Sequence, residues 1–238
     1  MGVRFDRECA VERLLVREYG AVFVTASEVV RPAAVLFRDA AEVESFQAKL
    51  ATKSVMIGDH RMELQQAAME ALELAIEAAA NKELTITPRG ADSARRTYDE
   101  TVELWSSRVE PALKHWTMLG RLKASEAVAL RGRGVHEQVR EVLRLEEDRI
   151  YFAKDLSKSI IYSVAPPGAS QHLAMLAFDV SEFNDPEVRA ILAEHGWFQT
   201  VTSDLPHFTY LGVSETDLPG LGLKLITSGG RAFWVPDM

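Results

Sequence analysis

Two histidines and two aspartates within residues 170–212 are the side chains whose types and spacing suggest chemistry. His172 is followed seven residues later by Asp179, and Asp204 stands three residues before His207 in the run Asp204-Leu205-Pro206-His207-Phe208. His172, Asp179 and His207 make a zinc set of two histidines and one carboxylate. Such a set leaves one coordination position open, as catalytic zinc sites do and structural ones do not. Two neutral imidazoles and one carboxylate would leave Zn²⁺ with about one positive charge, enough to acidify a bound water. Asp204 is then the carboxylate that could take the water's proton. The lone cysteine, Cys9, lies far from this stretch and does not compete for the metal. The pattern reads as a candidate metallopeptidase with one zinc ion per chain.

These four residues impose demands on the elements that carry them. An odd separation puts His172 and Asp179 on opposite faces of any regular strand, so they can share an ion only across a bend. Pro166, Pro167 and Gly168 favour a loop that holds His172 ahead of the strand. Pro206 donates no hydrogen bond and keeps Leu205 extended, which places Asp204 in the approach to a strand beginning at His207.

Around the site, strands are expected at 160–164, 176–180, 197–201 and 207–211, with one helix at 185–195 ended by Gly196. A closing hairpin is expected at 223–227 and 232–235 around Ser228-Gly229-Gly230. Upstream, 21–24, 29–30 and 34–37 read as short strands. Asp39, with Glu42 three residues on, caps a helix to residue 50. An apolar stripe over 62–82 (Leu64, Ala68, Ala71, Leu72, Ala75, Ile76, Ala79) predicts a helix. A strand at 84–87 precedes a long helix over 93–119 that Pro111 kinks or divides. Charged helices over 123–152 are interrupted near Gly132 and Gly134. Helices dominate the first half and strands the last third, which predicts an α+β fold. Two portions are expected: 1–83, a mostly helical N-terminal extension with a short β-hairpin, and 84–238, carrying the site.

Bulk properties exclude some functions. The chain has 238 residues and a formal net charge of −8, which argues against nucleic-acid binding through phosphate neutralisation. No apolar run approaches the roughly 18 residues of a membrane span. Residues 1–8 carry charges on both sides of Phe5 and hold no apolar segment, so they do not read as a secretory signal. One cysteine permits no intrachain disulfide and names no compartment.

Ser170-x-His172 with Ala177 and Asp179, followed by Asp204-x-Pro206-His207-Phe208, resembles the zinc D-Ala-D-Ala carboxypeptidases and L-alanyl-D-glutamate endopeptidases of bacterial cell walls. That family shares its core fold with the hedgehog signalling domain. Its first motif reads SxHxxGxAxD, and its second reads DxPHF in the endopeptidase branch. The resemblance implies a hedgehog/DD-peptidase-like small antiparallel sheet with helices. It also implies His172, Asp179 and His207 as zinc ligands, Asp204 as the base, and Ser170 at the substrate. A peptidoglycan peptide is the implied partner, and a periplasmic or extracellular setting follows, with the cytoplasm as the other reading. A third family element is an arginine in an RSYxxQ-like segment, matched by Arg96-Thr97-Tyr98 through Thr101. Arg96 would steady the oxyanion, and Arg89, after the expected strand at 84–87, is the second choice. The resemblance covers 165–212 well, 84–105 faintly, and the first 80 residues not at all.

One departure stands out. Met175 occupies the place of the family's glycine, which either turns the chain through a positive φ or permits close packing. Plainer readings accompany each residue. A histidine beside Phe208 suits a core, Arg96 suits a solvated helix, and His195 suits a helix C-terminus. His60, His115 and His136 read as surface residues, and Trp105 and Trp116 as core. A metal- or peptide-binding module without hydrolysis is the alternative function, and a helical interaction protein with an accidental motif is a third. Oligomeric state is not legible.

Overall fold

The computed structural model describes residues 5, 6 and 8–238; residues 1–4 and 7, part of the charged N-terminal stretch discussed above, lie outside the described residues. The fold is α+β, with small antiparallel sheets and helices of very different packing roles.

Helix α1 (Ala10–Tyr19) runs into a 3₁₀ turn, Gly20–Val24, whose five residues are all buried. No strands form at 21–24, 29–30 or 34–37 as ladder elements. A short apolar run bounded by polar turns looks alike whether it is a strand or a buried coil, and no named strand among the described residues pairs with these runs. Helix α2 (Ala40–Gln47) starts where expected, with the Asp39 carboxylate accepting from the Glu42 amide at 2.9 Å. The apolar stripe expected to begin a helix near residue 62 divides instead. Strands β1 (Thr52–Ile57) and β2 (His60–Gln65) form a hairpin, and α3 (Gln66–Ala80) follows directly. Met62 and Leu64 alternate inward from β2, a period of two that the adjoining helical period masked. Gly58 at φ 57° makes the tight turn.

Residues 84–87 form no strand. Pro88 makes a single bridge to Val180, and the Arg89 amide donates to the Asp179 carbonyl at 3.1 Å, so this segment lies along the next strand. Helix α4 (Tyr98–Met118) is opened by a Thr97–Glu100 capping box. Pro111 lies within α4 without dividing it. Trp105 and Val109 before it, and Ala112, Leu113 and Trp116 after it, are buried on one face and offset the roughly 3 kcal/mol that an interior proline costs. Helices α5 (Ala124–Arg131) and α6 (Val135–Glu147) pack on α4, and the break at 132–134 falls where the glycines predicted it. The strand expected at 160–164 is a 3₁₀ turn, Ile160–Tyr162. It is tied to α6 by Glu146, whose carboxylate accepts from the Ile160 and Phe152 amides at 2.7 and 3.2 Å and from the Ser159 hydroxyl. A buried acid thus takes the place of a strand partner.

The central sheet has the order β3–β5–β4, all antiparallel: β3 (Ala177–Asp179), β5 (His207–Tyr210) and β4 (Trp197–Phe198). Helix α7 (Pro186–Glu194), capped by Asp185, connects β3 to β4. The closing hairpin, β6 (Leu223–Ser228) and β7 (Arg231–Pro236), turns at Gly229-Gly230 as expected. The largest core joins α1, β2 and α3 to α7 and one face of β3–β5, and a second lies among α4, α5 and α6. Among the described residues no helix is long and apolar enough to cross a membrane.

Candidate metal centre

The register of the central sheet builds the site. Phe178 pairs with Phe208 and turns into the core, so Asp179 and its direct partner His207 share the opposite face. Thr209, two residues after His207, lies on that same face.

His172 reaches this face from outside the sheet. It sits in a 3₁₀ turn, Gln171–Ala174, after which Met175 adopts φ 56°, ψ 35° and redirects the chain into β3. The odd spacing is therefore resolved by a loop and a left-handed residue. Methionine accepts a conformation that glycine takes freely, at a cost of about 1–2 kcal/mol. Buried amides hold the turn: Gln47 donates to the Leu173 carbonyl at 3.1 Å, and Gln65 donates to the Ala174 carbonyl at 2.8 Å. Gly168, at φ 87°, permits the approach of the 32–37 segment; a Cβ there would lie 2.1 Å from the Phe37 carbonyl oxygen.

One ligand atom each from His172, Asp179 and His207 lies within 4.8 Å of the others. His207 Nδ1 is 3.2 Å, and His172 Nε2 3.4 Å, from Asp179 Oδ1. A tetrahedral ion with bonds of about 2.0–2.1 Å needs ligand atoms about 3.3 Å apart. These two edges fit it.

Hydrogen bonds on the far side of each ring set the tautomers. His172 Nδ1 lies 2.7 Å from the Ala94 carbonyl, which can only accept, so Nδ1 carries the proton. Gln171 Nε2 donates to the Tyr19 carbonyl at 2.9 Å, which turns Gln171 Oε1 toward His207 Nε2, 2.9 Å away. The Thr209 hydroxyl also donates to that oxygen. His207 therefore holds its proton on Nε2 and, like His172, presents a bare nitrogen to Asp179. His172 Nε2 is a buried atom without a hydrogen-bond partner, and 3.4 Å from the carboxylate is an ion-pair distance only. Two lone pairs facing an anion repel unless a cation lies among them. Burial lowers the His172 pKa, so a proton is a poor occupant. The buried group His172–Asp179–His207 can hold a metal ion.

The other predicted residues meet at one cavity of about 270 Å³, which is lined by Arg89, Arg96, Ser170 and Asp204 together with His172, Asp179 and His207. Asp204 is exposed at the rim, with no side-chain hydrogen bond among the described residues. Arg96 Nη2 donates to Asp179 Oδ2 at 2.9 Å, and its Nε donates to the Asp92 carbonyl at 3.0 Å. It thus pairs with the carboxylate of the candidate metal group, which leaves Nη1 without a partner among the described residues. Arg89 rests over the Phe183 ring, 5.9 Å from its centroid. His195, at the end of α7, lies outside the cavity, as do His60, His115 and His136.

Sequence reasoning passed over three contributors. Gln171, between two motif residues, was readable as a histidine-orienting amide but not without its acceptor on Tyr19. Tyr19 and Arg108 line the cavity from distant helices and carry no sequence signal for it. Comparison with protein-family models, with curated proteins and with solved structures finds no significant match to this chain.

Proposed function

We propose that this chain is a zinc-dependent metallopeptidase acting on peptides of the cell-wall type. The observation that carries this reading is that His172 Nε2, a buried nitrogen without a hydrogen-bond partner, and His207 Nδ1 both face one oxygen of Asp179 at 3.4 and 3.2 Å, while the other nitrogen of each ring is held by a far-side hydrogen bond. Two histidines and one carboxylate match zinc's preference for nitrogen and oxygen donors and leave a position open. The ion supplies Lewis acidity when bound, acidifying a water and polarising an amide carbonyl.

The remaining work belongs to the chain's own residues. Asp204, free at the rim, takes the proton from the attacking water and returns it to the departing amine. Arg96 holds Asp179 in place through Nη2 and offers Nη1 to the developing oxyanion. Ser170 lines the cavity beside His172 and offers a hydroxyl to the substrate backbone.

Elemental analysis of purified protein and of His207→Ala, both offered zinc and then freed of excess, tests the metal. About one zinc per chain in the parent and a large loss in the variant is the expected result, with cleavage of peptidoglycan fragments as the next assay. Absence of bound metal in both would sink the reading. A module that binds zinc without hydrolysis is the second reading, favoured by the unanchored carboxylate of Asp204; Asp204→Asn separates the two by removing turnover while leaving the metal.

A further inference from the structure

The cavity holds a cation that the proposed mechanism does not use. Arg108 projects from α4, about three turns beyond its N-cap Thr97, and lines the same cavity. It is half-buried. Its Nε donates to Ser163 Oγ at 3.0 Å and its Nη1 to Ser107 Oγ at 2.8 Å, so two serine hydroxyls fix the guanidinium plane. Arg108 forms no ion pair among the described residues, whereas Arg96 is matched by Asp92 and Asp179. The two N–H groups of Nη2 have no partner among the described residues, so they are free to donate to an anion in the cavity.

The charge of the whole cavity points the same way. Three arginines (Arg89, Arg96, Arg108) and three aspartates (Asp92, Asp179, Asp204) line it and cancel. A divalent ion on the ligand set then leaves an excess of about two positive charges, which a neutral peptide would not balance.

We propose that Arg108, seated by Ser163 and Ser107, is the anchor for a free carboxylate of the substrate. This rests on the peptidase reading for the identity of the ligand but not for the existence of the subsite, because Arg108 is no part of the metal set. The carboxylate has two sources in a cell-wall peptide: the chain's C-terminus, or the α-carboxyl of a γ-linked D-glutamate. An anchored C-terminus makes the enzyme an exopeptidase, and an anchored glutamate makes it a cutter within the stem.

Binding measured by calorimetry on the zinc-treated parent and on Arg108→Gln decides this, with zinc content determined in both. One probe pair is acetyl-L-Lys-D-Ala-D-Ala and its C-terminal amide. The other is L-Ala-γ-D-Glu-L-Lys with its α-carboxylate free or converted to the amide. The expected result is that the parent prefers the charged member of one pair by about 10- to 100-fold, the range for a charged hydrogen-bonded contact. The pair that responds names the source. Arg108→Gln loses the preference with zinc content unchanged, and Arg108→Lys, which keeps charge without the fork, restores part of it. Equal binding of acid and amide in both pairs, no saturable binding of any probe, or a preference that survives Arg108→Gln would overturn the proposal. A preference abolished by Arg108→Gln in a protein without turnover would leave the subsite standing and remove the peptidase.

Discussion

Replacing Gln171 by leucine tests the argument from tautomers at its most exposed link. Leucine nearly matches glutamine in size, so the change removes polar atoms without opening a large void. His207 Nε2–H then loses its acceptor at a ring only 5% exposed. An unsatisfied buried donor costs about 1–3 kcal/mol. The ring can avoid that cost by moving its proton to Nδ1, but Nδ1 is the nitrogen that faces Asp179 Oδ1 at 3.2 Å and would bind the metal. Either outcome weakens metal binding. At about 1.4 kcal/mol per tenfold, the loss is roughly 5- to 150-fold, which overlaps the 10- to 100-fold typical of partners that orient a ligating histidine. Competition for zinc against a chromophoric chelator measures it, with thermal melting to confirm that the variant folds. Thr209→Val is the control, because it removes a donor to Gln171 while leaving the His207 acceptor in place; its effect should stay below about threefold. A Gln171→Leu protein that melts cooperatively and binds zinc within about twofold of the parent would refute the tautomer argument.

Other outcomes follow from the same geometry. Met175→Gly relieves about 1–2 kcal/mol of left-handed strain but empties a site 1% exposed, where truncating methionine costs about 2–5 kcal/mol; denaturant titration should show a net loss. Gly168→Ala drives a Cβ to 2.1 Å from the Phe37 carbonyl, and a fall in stability of roughly 2 kcal/mol or more is expected in the same assay. Burial raises the Glu146 pKa against its hydrogen bonds from Ser159, Ile160 and Phe152. The folded state therefore holds that proton longer than the unfolded state, and stability falls as pH climbs from the ordinary glutamate range through the raised value. Glu146→Gln should flatten that part of a plot of melting temperature against pH.

Legibility in the sequence followed the range of the interaction. Asp39 announced its helix because a cap is a contact between residues three apart. Gly132 and Gly134 marked the break between α5 and α6 for the same local reason. The candidate metal group was legible because its members fall in two short motifs, and the loop placement of His172 followed from the two-residue period of a strand. The hairpin at 52–65 was hidden because its inward alternation runs into the helical stripe of α3, so one apolar pattern served two periods.

Tertiary structure alone decided the rest. Whether Asp179 faces His207 depends on the pairing register of β3 and β5, and a slip of one residue would turn one of them into the core. Which nitrogen each histidine offers depends on the carbonyl of Ala94 and on an amide held by Tyr19, more than 70 residues away in the chain. Arg96, just ahead of α4, became a partner of Asp179, and Arg108, on α4, a neighbour of the same cavity, only through the folding of the chain. The sequence by itself supplied the ligand types and the local turns that present them. Their convergence is a property of register and packing, since hydrogen bonds and ion pairs act over a few ångströms of space, whatever the distance along the chain.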